Sequence, residues 1–219
     1  MTRPAKIVQL SSIHQANDIR VYQKECRSLA AAGFDVTLIA QASEDHTQDG
    51  VTVRAVTPRH RNRLVRMTRT VWEVFRMARA ERADAYHFHA IEFLPAAIVL
   101  KTLGHRVVYD VHENFPKLIQ SKHYLPRAVR GPIAVAVGLA EKLGSLVFDG
   151  IVAATPSIAT GFPAGKTITI HNYAMANEFR MGESAPYGER AMQVAYIGAL
   201  SEERGLFEMI DAIEIVNRS

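Results

Sequence analysis

The fold is decided by residues 6–41, which read KIVQLSSIHQANDIRVYQKECRSLAAAGFDVTLIAQ. Residues 6–12 and 34–41 hold nearly continuous runs of apolar residues, which are typical of strands covered on both faces. Between them, residues 19–32 predict a helix, and Gly33 suits the position just after a helix end. A strand, a helix and a second strand in this order predict a right-handed crossover between two parallel strands.

The same alternation continues to about residue 171. Five further strands are predicted at 51–58, 85–90, 106–111, 150–155 and 167–171. Helices are predicted between them at 64–83, at 92–103 (before Gly104) and at 127–146. Strands that alternate with helices form parallel sheets with helices packed on them. We therefore predict an α/β fold with a Rossmann-like, mostly parallel sheet and helices on both faces.

Residues 175–191 break this alternation. They are polar and rich in turn-forming residues, as in a linker. One more strand and helix are predicted after them, at 192–197 and 205–217, and a single strand–helix unit cannot bury its apolar faces alone. We therefore predict an amino-terminal domain at 1–174, a linker at 175–191 and the start of a second domain at 192–219. The alternative is one module in which the last residues form an integral layer.

Composition narrows the class of protein. The chain has 219 residues, of which 48% are hydrophobic and 22% are charged, as in an ordinary globular protein. The single cysteine, Cys26, excludes an internal disulfide and a multi-cysteine metal site. The longest apolar stretch, at 131–140, is much shorter than the roughly 20 residues of a transmembrane helix. No secretory signal follows Met1, so we predict a cytoplasmic protein.

A basic segment lies at residues 59–82. It contains eight arginines and two glutamates, a balance of +6 in a chain whose net charge is +4. One interpretation is a solvated helix face, and the other is a helix that contacts an anionic membrane surface. The second would place the protein peripherally at the inner face of the cell membrane. No nucleic-acid-binding motif accompanies the arginines, so we predict no nucleic-acid partner.

Ligands of open parallel sheets bind at the carboxyl ends of the strands. The loop after the first strand carries Ser12, His14 and Asp18 and leads into a helix. It lacks the glycine-rich motif of dinucleotide-binding proteins. It is either an ordinary connection or a contact for phosphate or sugar near a helix N-terminus.

Two histidines and a glutamate follow the strand at 85–90. His87 and His89 alternate along this strand and so share one face of it. With Glu92 they are metal ligands by residue type, but no further cysteine or carboxylate cluster accompanies them. We therefore predict no metal, and we expect His89 or Glu92 to contact a sugar.

The most informative polar group follows the strand at 106–111 and includes His112, Glu113 and Asn114. Burying polar groups costs free energy unless they are paired or used in function. One interpretation is a capped turn that faces solvent. The other places His112 and Glu113 in a cleft as hydrogen-bonding or acid–base groups.

Three segments of the chain resemble the family-four glycosyltransferases. They are DIRV at 18–21 with KECRSLAAAGFDVTLI at 24–39, YDVHEN at 109–114, and YIGALSEERG at 196–205. The resemblance implies a GT-B fold, in which a first domain binds the acceptor and a second binds a nucleotide-sugar donor. Such enzymes are typically retaining and use no metal or other cofactor.

The resemblance also implies roles for single residues. His112 would contact the donor sugar, and Asn114 belongs to the same motif. Gly198 opens the second-domain motif. Arg204 stands where the family usually has lysine and would contact the donor diphosphate, where a cation offsets developing negative charge. The expected activity is hexosyl transfer to a glycan or lipid-linked acceptor in polysaccharide or cell-envelope glycan synthesis.

The chain departs from the family pattern in two places. Ala199 and Leu200 follow Gly198, where the family usually has arginine, and the later paired-glutamate motif does not occur before Ser219. We therefore expect an amino-terminal part of a longer enzyme that is inactive alone. The alternatives are a sugar-nucleotide epimerase of the GT-B fold and a non-catalytic module that binds a sugar or a partner.

Overall fold

The computed structural model describes residues 3–57, 66–175, 186–198 and 200–218. The chain divides into two compact units, Met1–Tyr173 and Ala174–Ser219. In the described part of the chain, no helix combines the length and hydropathy needed to cross a membrane.

The first unit is built on an eight-stranded sheet. Its strands are β1 (Lys6–Gln15), β2 (Asp35–Gln41), β3 (His46–Gln48), β4 (Val51–Val56), β5 (Ala85–Phe88), β6 (Arg106–Val111), β7 (Gly150–Ala153) and β8 (Thr167–Thr169). Their order in the sheet is β3-β4-β2-β1-β5-β6-β7-β8, and every neighbouring pair is parallel except β3 with β4. The predicted, mostly parallel sheet is confirmed.

The short strand β3 was not predicted. Its residues, His46 to Gln48, are polar and exposed at the sheet edge, so they lack the apolar pattern that marks the other strands. The hairpin that joins β3 to β4 turns at Asp49 and Gly50, whose φ angles are 52° and 75°. Asp-Gly is a strong hairpin signal because both positions of such a turn need positive φ.

Helices connect the strands. They are α1 (a π-helix at Ile19–Cys26 continued by an α-helix at Arg27–Ala31), α2 (a π-helical turn at Arg66–Thr70 continued by Val71–Glu81), α3 (a 3₁₀ turn at Ile91–Phe93 continued by Leu94–Thr102), α4 (Phe115–Gln120), α5 (Arg127–Val147) and α6 (Pro156–Ala159). Gly33 and Gly104 follow α1 and α3 with φ of 90° and 86°, a left-handed conformation that favours glycine. The helix ends predicted at these glycines are confirmed.

The sheet is covered on both faces, as predicted. One apolar cluster joins the strands to α2 and α3 through residues such as Leu10, Phe88 and Val74. A smaller cluster packs Tyr22 and Cys26 of α1 against other strands. Cys26 is fully buried in this cluster, and its burial raises the pKa of its thiol.

The path of the chain creates a crevice at one edge of the sheet. From the central strand β1 the chain passes to β2 on one side, and β5 then pairs with β1 on the other side. The loops after β1 and β5 therefore diverge, and such a switch point is where ligands bind in open α/β sheets.

The second unit contains a 3₁₀ turn at Tyr187–Glu189, a second at Glu202–Arg204, and the helix α7 (Leu206–Arg218). The helix predicted at 205–217 is confirmed. The strand predicted at 192–197 is wrong, because these residues form no regular structure. A strand needs a neighbour for its backbone hydrogen bonds, and the described residues of this unit contain none.

Candidate active site

The carboxyl end of β1 bulges out of the sheet. The pairing of β1 with β2 shifts between Leu10 and Gln15, so the residues between them bend away from the ladder. The Ser11 hydroxyl accepts hydrogen bonds from the backbone N–H of Ile13 (3.4 Å) and His14 (3.0 Å) and lies 2.8 Å from His14 Nδ1. The bulge thus fixes the His14 ring at the edge of the sheet.

Helix α1 begins next and directs an arginine into the protein. The Asp18 side chain caps the helix by accepting hydrogen bonds from the backbone N–H of Arg20 and Val21, both at 2.9 Å. The Arg20 side chain is only 6% exposed, and it donates to the Asp110 carboxylate from Nε (2.9 Å) and Nη2 (2.7 Å). A third donor, Nη1, reaches the Ile170 carbonyl at 3.2 Å. Arg20 therefore ties α1 to β6 and to the residues after β8.

Asp110 is the centre of this buried network. Its Oδ2 also lies 3.0 Å from His89 Nδ1, and the other ring nitrogen of His89 lies 2.6 Å from Gln9 Oε1. Burial alone would raise the pKa of Asp110, but the hydrogen bonds from Arg20 and His89 hold it well below its usual range. Asp110 is therefore an anion inside the protein.

Glu25 and His87 extend the network with groups that lack hydrogen bonds. The Glu25 carboxyl lies 3.1 Å from Arg20 Nε and 3.7 Å from His87 Nδ1. Burial, followed by the negative charge of Asp110, raises the pKa of Glu25 to about 9. Burial also lowers the pKa of His87 to about 3. Both side chains are therefore uncharged near neutral pH, although neither carboxyl oxygen of Glu25 has a hydrogen-bond partner among the described residues.

Four of these side chains offer metal-binding atoms, all within 4.8 Å of one another: Glu25, His87, His89 and Asp110. This is not the set considered from the sequence, since Glu92 lies elsewhere. The guanidinium of Arg20 already holds Asp110 with two hydrogen bonds, and both nitrogens of His89 are engaged. A divalent ion would have to displace a cation and break these contacts, so the geometry fits an ion-pair network better than a metal centre.

His112 lies above this network at the end of β6. Its ring stacks on His14 with centroids 5.4 Å apart and meets His89 edge-on at 5.7 Å. His112 Nε2 lies 3.4 Å from Asp110 Oδ2, and the side chain is 21% exposed. Burial lowers the pKa of His112 to about 4, so the ring is neutral near neutral pH. The uncharged ring can form a hydrogen bond with a ligand without adding a positive charge to the site.

Glu113 and Asn114 follow His112 and are exposed. Asn114 caps α4, because its Oδ1 accepts a hydrogen bond from the Lys117 backbone N–H at 3.1 Å. With His112 they line a cavity of about 490 Å³ at this edge of the sheet. Glu113 is therefore positioned beside His112 in a space large enough for a ligand.

The structure gathers most of the residues predicted for the site. Ser12 donates a hydrogen bond to Glu92 Oε1 at 3.1 Å, which links the ends of β1 and β5. His14, His89 and His112 form one cluster of rings. His89 is fully buried, and both of its ring nitrogens are engaged. It therefore packs against His112 inside the protein and is not placed for the direct sugar contact expected from the sequence.

Gly198 and Arg204 belong to the second unit. Arg204 ends a 3₁₀ turn, and Gly205 follows it with φ of 74°. A side chain at position 198 would meet the Tyr196 hydroxyl at 3.0 Å and Arg204 Nη1 at 3.3 Å. Glycine at 198 therefore lets the Arg204 side chain lie against the backbone of its own motif.

Sequence reasoning missed Arg20, Glu25 and Asp110 as parts of the site. A signal was present, because Arg20 and Asp110 each stand between apolar neighbours in buried elements. A charge in such a position needs a partner of opposite charge. The sequence alone does not show that the two charges are partners.

Replacing Glu25 by glutamine should change how stability depends on pH. The pKa of Glu25 is about 9 in the folded protein, against an ordinary value of 4.5. The folded state therefore holds an extra proton between these values, and the wild-type protein loses stability as pH rises through this range. Glu25→Gln lacks that proton, so its free energy of unfolding should fall less between about pH 5 and about pH 9.

Urea unfolding at several pH values measures this difference. Glu44→Gln, at an exposed glutamate, is the matched control and should keep the wild-type pH dependence. An identical pH dependence in Glu25→Gln and wild type would show that the pKa of Glu25 is not raised in the folded protein.

Comparison with known proteins gives one family match. The family model for the glycosyl transferase 4-like domain matches residues 19–172. No curated protein sequence is significantly similar to the chain.

Several solved structures share the fold. Sucrose-phosphate synthase from Thermosynechococcus elongatus is 15% identical, with a TM-score of 0.57 over 76% of this chain and 48% of that one. Anabaena HepE in complex with UDP and glucose is 15% identical, with a TM-score of 0.51 over 82% of this chain and 47% of that one. The chain thus spans about half the length of these structures. At such identities the similarity concerns the fold alone.

Proposed function

Because the matched residues 19–172 make up most of its length, the chain belongs to the glycosyl transferase 4-like family, and we propose that it carries the acceptor side of a glycosyltransferase. The reaction is transfer of a sugar, a hexose with retention of configuration, from a nucleotide-sugar donor to a glycan or lipid-linked acceptor. The cellular setting is polysaccharide or cell-envelope glycan synthesis in the cytoplasm.

The observation that carries this proposal is the position of His112, which follows β6 and stacks on His14 at the switch point of the sheet. Its ring is held between His14 and Asp110 and opens onto the cavity beside Glu113. Sugars are recognised by hydrogen bonds to their hydroxyl groups, and a nitrogen of an uncharged imidazole donates or accepts such a bond according to the tautomer. His112 and Glu113 are therefore the groups that we place at the reacting sugar, with Ser12, His14 and Glu92 beside them.

The donor diphosphate needs positive charge, which the second unit offers in Arg204. A cation at this position offsets the charge that develops on the leaving diphosphate. We assign residues 1–174 to acceptor binding and residues 192–219 to donor binding, joined by 175–191. This assignment requires no metal or other cofactor.

A transfer assay on the full-length protein tests the function. The protein is incubated with a panel of nucleotide sugars and with glycan or lipid-linked acceptors, and products are identified by mass spectrometry. Transfer from one donor supports the proposal. NMR of the sugar carbons distinguishes the alternative, because an epimerase would change the donor sugar without an acceptor. Consumption of no nucleotide sugar in the panel would contradict both enzyme functions.

We also propose that α2 contacts an anionic membrane surface. Arg76, Arg79 and Arg82 are exposed, and so is Trp72, which lies 64% exposed on the same helix. Glu81, one of the two acids of the segment, is already paired with Lys6 and Arg54. Among the described residues, Arg76, Arg79 and Arg82 form no ion pair, and they accompany an exposed tryptophan, as in interfacial helices. Residues 58–65 of the basic segment lie outside the described residues.

Replacing Arg76, Arg79 and Arg82 together by glutamine should weaken binding to anionic vesicles about a hundredfold, since each charge contributes about 1 kcal/mol near such a surface. Trp72 is the sole tryptophan of the chain, so its emission reports directly on contact between α2 and lipid. The matched control replaces Lys117, Lys122 and Arg127, which lie outside α2. The proposed contact would be ruled out if the wild-type protein does not bind the vesicles, or if it binds them without a shift in Trp72 emission.

A further inference from the structure

A second cavity adjoins the candidate active site. It has a volume of about 260 Å³ and shares Glu113, Asn114 and Ser157 with the cavity beside His112. Ligand sites for drug-sized molecules run from about 300 to 1,000 Å³, so this space suits a single small ring. Its position places any occupant directly next to the reacting sugar.

Half of the residues that line this cavity have hydrogen-bonding side chains. They are Glu113, Asn114, Glu141, Lys142, Ser157 and Thr160. Apolar contacts come from residues such as Val111, Ile158 and Phe162. A sugar ring presents hydroxyl groups at its rim and C–H groups on its faces, so a cavity with both kinds of surface matches it.

Glu141 is the buried polar group of this cavity. It projects from α5, is 5% exposed, and its Oε1 accepts a hydrogen bond from the Tyr109 hydroxyl at 2.9 Å. Tyr109 is itself fully buried in the core, so the carboxyl group is held in a fixed orientation. Burial raises the pKa of Glu141 to about 7, while the Tyr109 hydrogen bond acts to lower it. The carboxyl group is bound to β6 through Tyr109 and takes no part in the His112 network.

Backbone packing also shapes the cavity. Gly138 lies one turn before Glu141 on α5, and a side chain there would meet Pro116 Cγ of α4 at 3.2 Å. Glycine therefore allows α4 and α5 to approach closely while leaving space beside Glu141. The cavity is thus a feature of how these two helices pack.

We propose that this cavity is the subsite for the terminal sugar ring of the acceptor, with the Glu141 carboxyl group hydrogen-bonded to a ring hydroxyl. The inference rests on the proposed function, because it assumes that the sugar reacting beside His112 is transferred to an acceptor. Glu113, Asn114 and Ser157 lie between the two cavities and would contact both sugars.

The first test measures sugar binding by the chain itself. Methyl glycosides of glucose, galactose and mannose are titrated into the protein and followed by amide NMR shifts. We expect saturable shifts of residues around Glu141 and Ser157 with at least one glycoside. Glu141→Gln should weaken that binding about tenfold or more, because the carboxyl oxygen that accepts from the ring hydroxyl is replaced by an amide nitrogen that cannot accept.

The variants are chosen so that folding can be checked separately. Glutamine keeps an oxygen that can accept from Tyr109, so Glu141→Gln should unfold thermally close to wild type. Ser157→Leu adds volume at an exposed lining position and should block binding without touching the core. Glu73→Gln, on α2 and outside the cavity, is the control that should bind like wild type.

The outcomes separate this inference from the proposed function. Raised acceptor KM in Glu141→Gln, with donor KM unchanged, supports the subsite. Sugar transfer that proceeds with unchanged acceptor KM in both Glu141→Gln and Ser157→Leu overturns the inference and leaves the function standing. Glycoside binding that needs Glu141, in a protein without transferase activity, upholds the sugar site and overturns the function. The absence of shifts around Glu141 with every glycoside overturns the inference.

Discussion

Arg20→Met should destabilise the first unit by about 3–5 kcal/mol, the usual result of removing one partner from a buried ion pair. Arg20 is the main counterion of Asp110, which is fully buried and held ionised by Arg20 and His89. Methionine fills a similar volume but leaves the Asp110 charge without its guanidinium. Typical domains are stable by only 5–15 kcal/mol, so this loss is a large share of the total. Urea unfolding measures it.

Arg27→Met is the matched control. Arg27 pairs with Asp49 at 3.4 Å, but the two side chains are 41% and 38% exposed, so this change should cost less than about 1 kcal/mol. Asp110→Asn should cost less than Arg20→Met, because Glu25 lies 3.1 Å from Arg20 and can become its counterion. In the Arg20→Met background, Asp110→Asn should restore part of the loss. Equal stability of Arg20→Met and Arg27→Met would contradict the central role of the pair.

If Arg20→Met does not fold, Asp110→Asn alone still tests the network. Loss of the Asp110 charge leaves Glu25 as the nearest carboxyl to Arg20, so the pKa of Glu25 should fall from about 9. The stability of Asp110→Asn should then depend less on pH above neutrality than that of wild type. An unchanged pH dependence would show that the two carboxyl groups are independent.

His112→Ala should lower kcat/KM for sugar transfer by about 10²–10³, the effect of removing one hydrogen-bonding group from a transition state. The His112 ring is the exposed end of the buried network and opens onto the cavity at the switch point. Because burial lowers its pKa to about 4, His112 stays neutral from about pH 6 upward. Protonation of His112 should therefore cause no fall in the wild-type rate near pH 6.5. The pH profiles of wild type and His112→Ala should have the same shape in this range.

His123→Ala is the control for this prediction, since His123 is an exposed histidine outside both cavities. It should keep kcat and KM within about twofold of wild type. Thermal unfolding of both variants shows whether the fold survives. Stacking on His14 makes only a small contribution to stability, so His112→Ala should remain folded. Turnover by folded His112→Ala at the wild-type rate would remove His112 from the proposed active site.

The place of the candidate site in the sheet was predictable from the sequence, whereas the contacts between its side chains were only partly predictable. Ser12 and His14 lie at the carboxyl end of β1, and Glu92 and His112 follow β5 and β6. Apolar patterns mark these strands clearly, and parallel strands bring their carboxyl ends to one edge. The metal-ligand set considered from the sequence, and not favoured there, combined Glu92 with His87 and His89. In the structure Glu92 pairs with Ser12, and Glu25 lies beside the histidines instead. Residue type alone does not tell which side chains meet.

The strand predicted at 192–197 failed for a related reason. Its apolar residues resemble those of a buried strand, but a strand forms only where another strand accepts its hydrogen bonds. The described residues of its unit contain no such neighbour. The helix after it satisfies its own backbone hydrogen bonds and formed as predicted.

The sequence by itself determined the order of the seven parallel strands and of the longer helices in the first unit, and the edge of the sheet where the candidate site lies. These follow from local periodicity, from glycines at helix ends and from the handedness of crossovers. Only the tertiary structure decided which polar groups are partners. Arg20 and Asp110 are 90 residues apart, and Gln9 and His89 are 80 apart. The neutral His112, the ionised Asp110 and the protonated Glu25 depend on burial and on neighbouring charges, which exist only once the chain has folded.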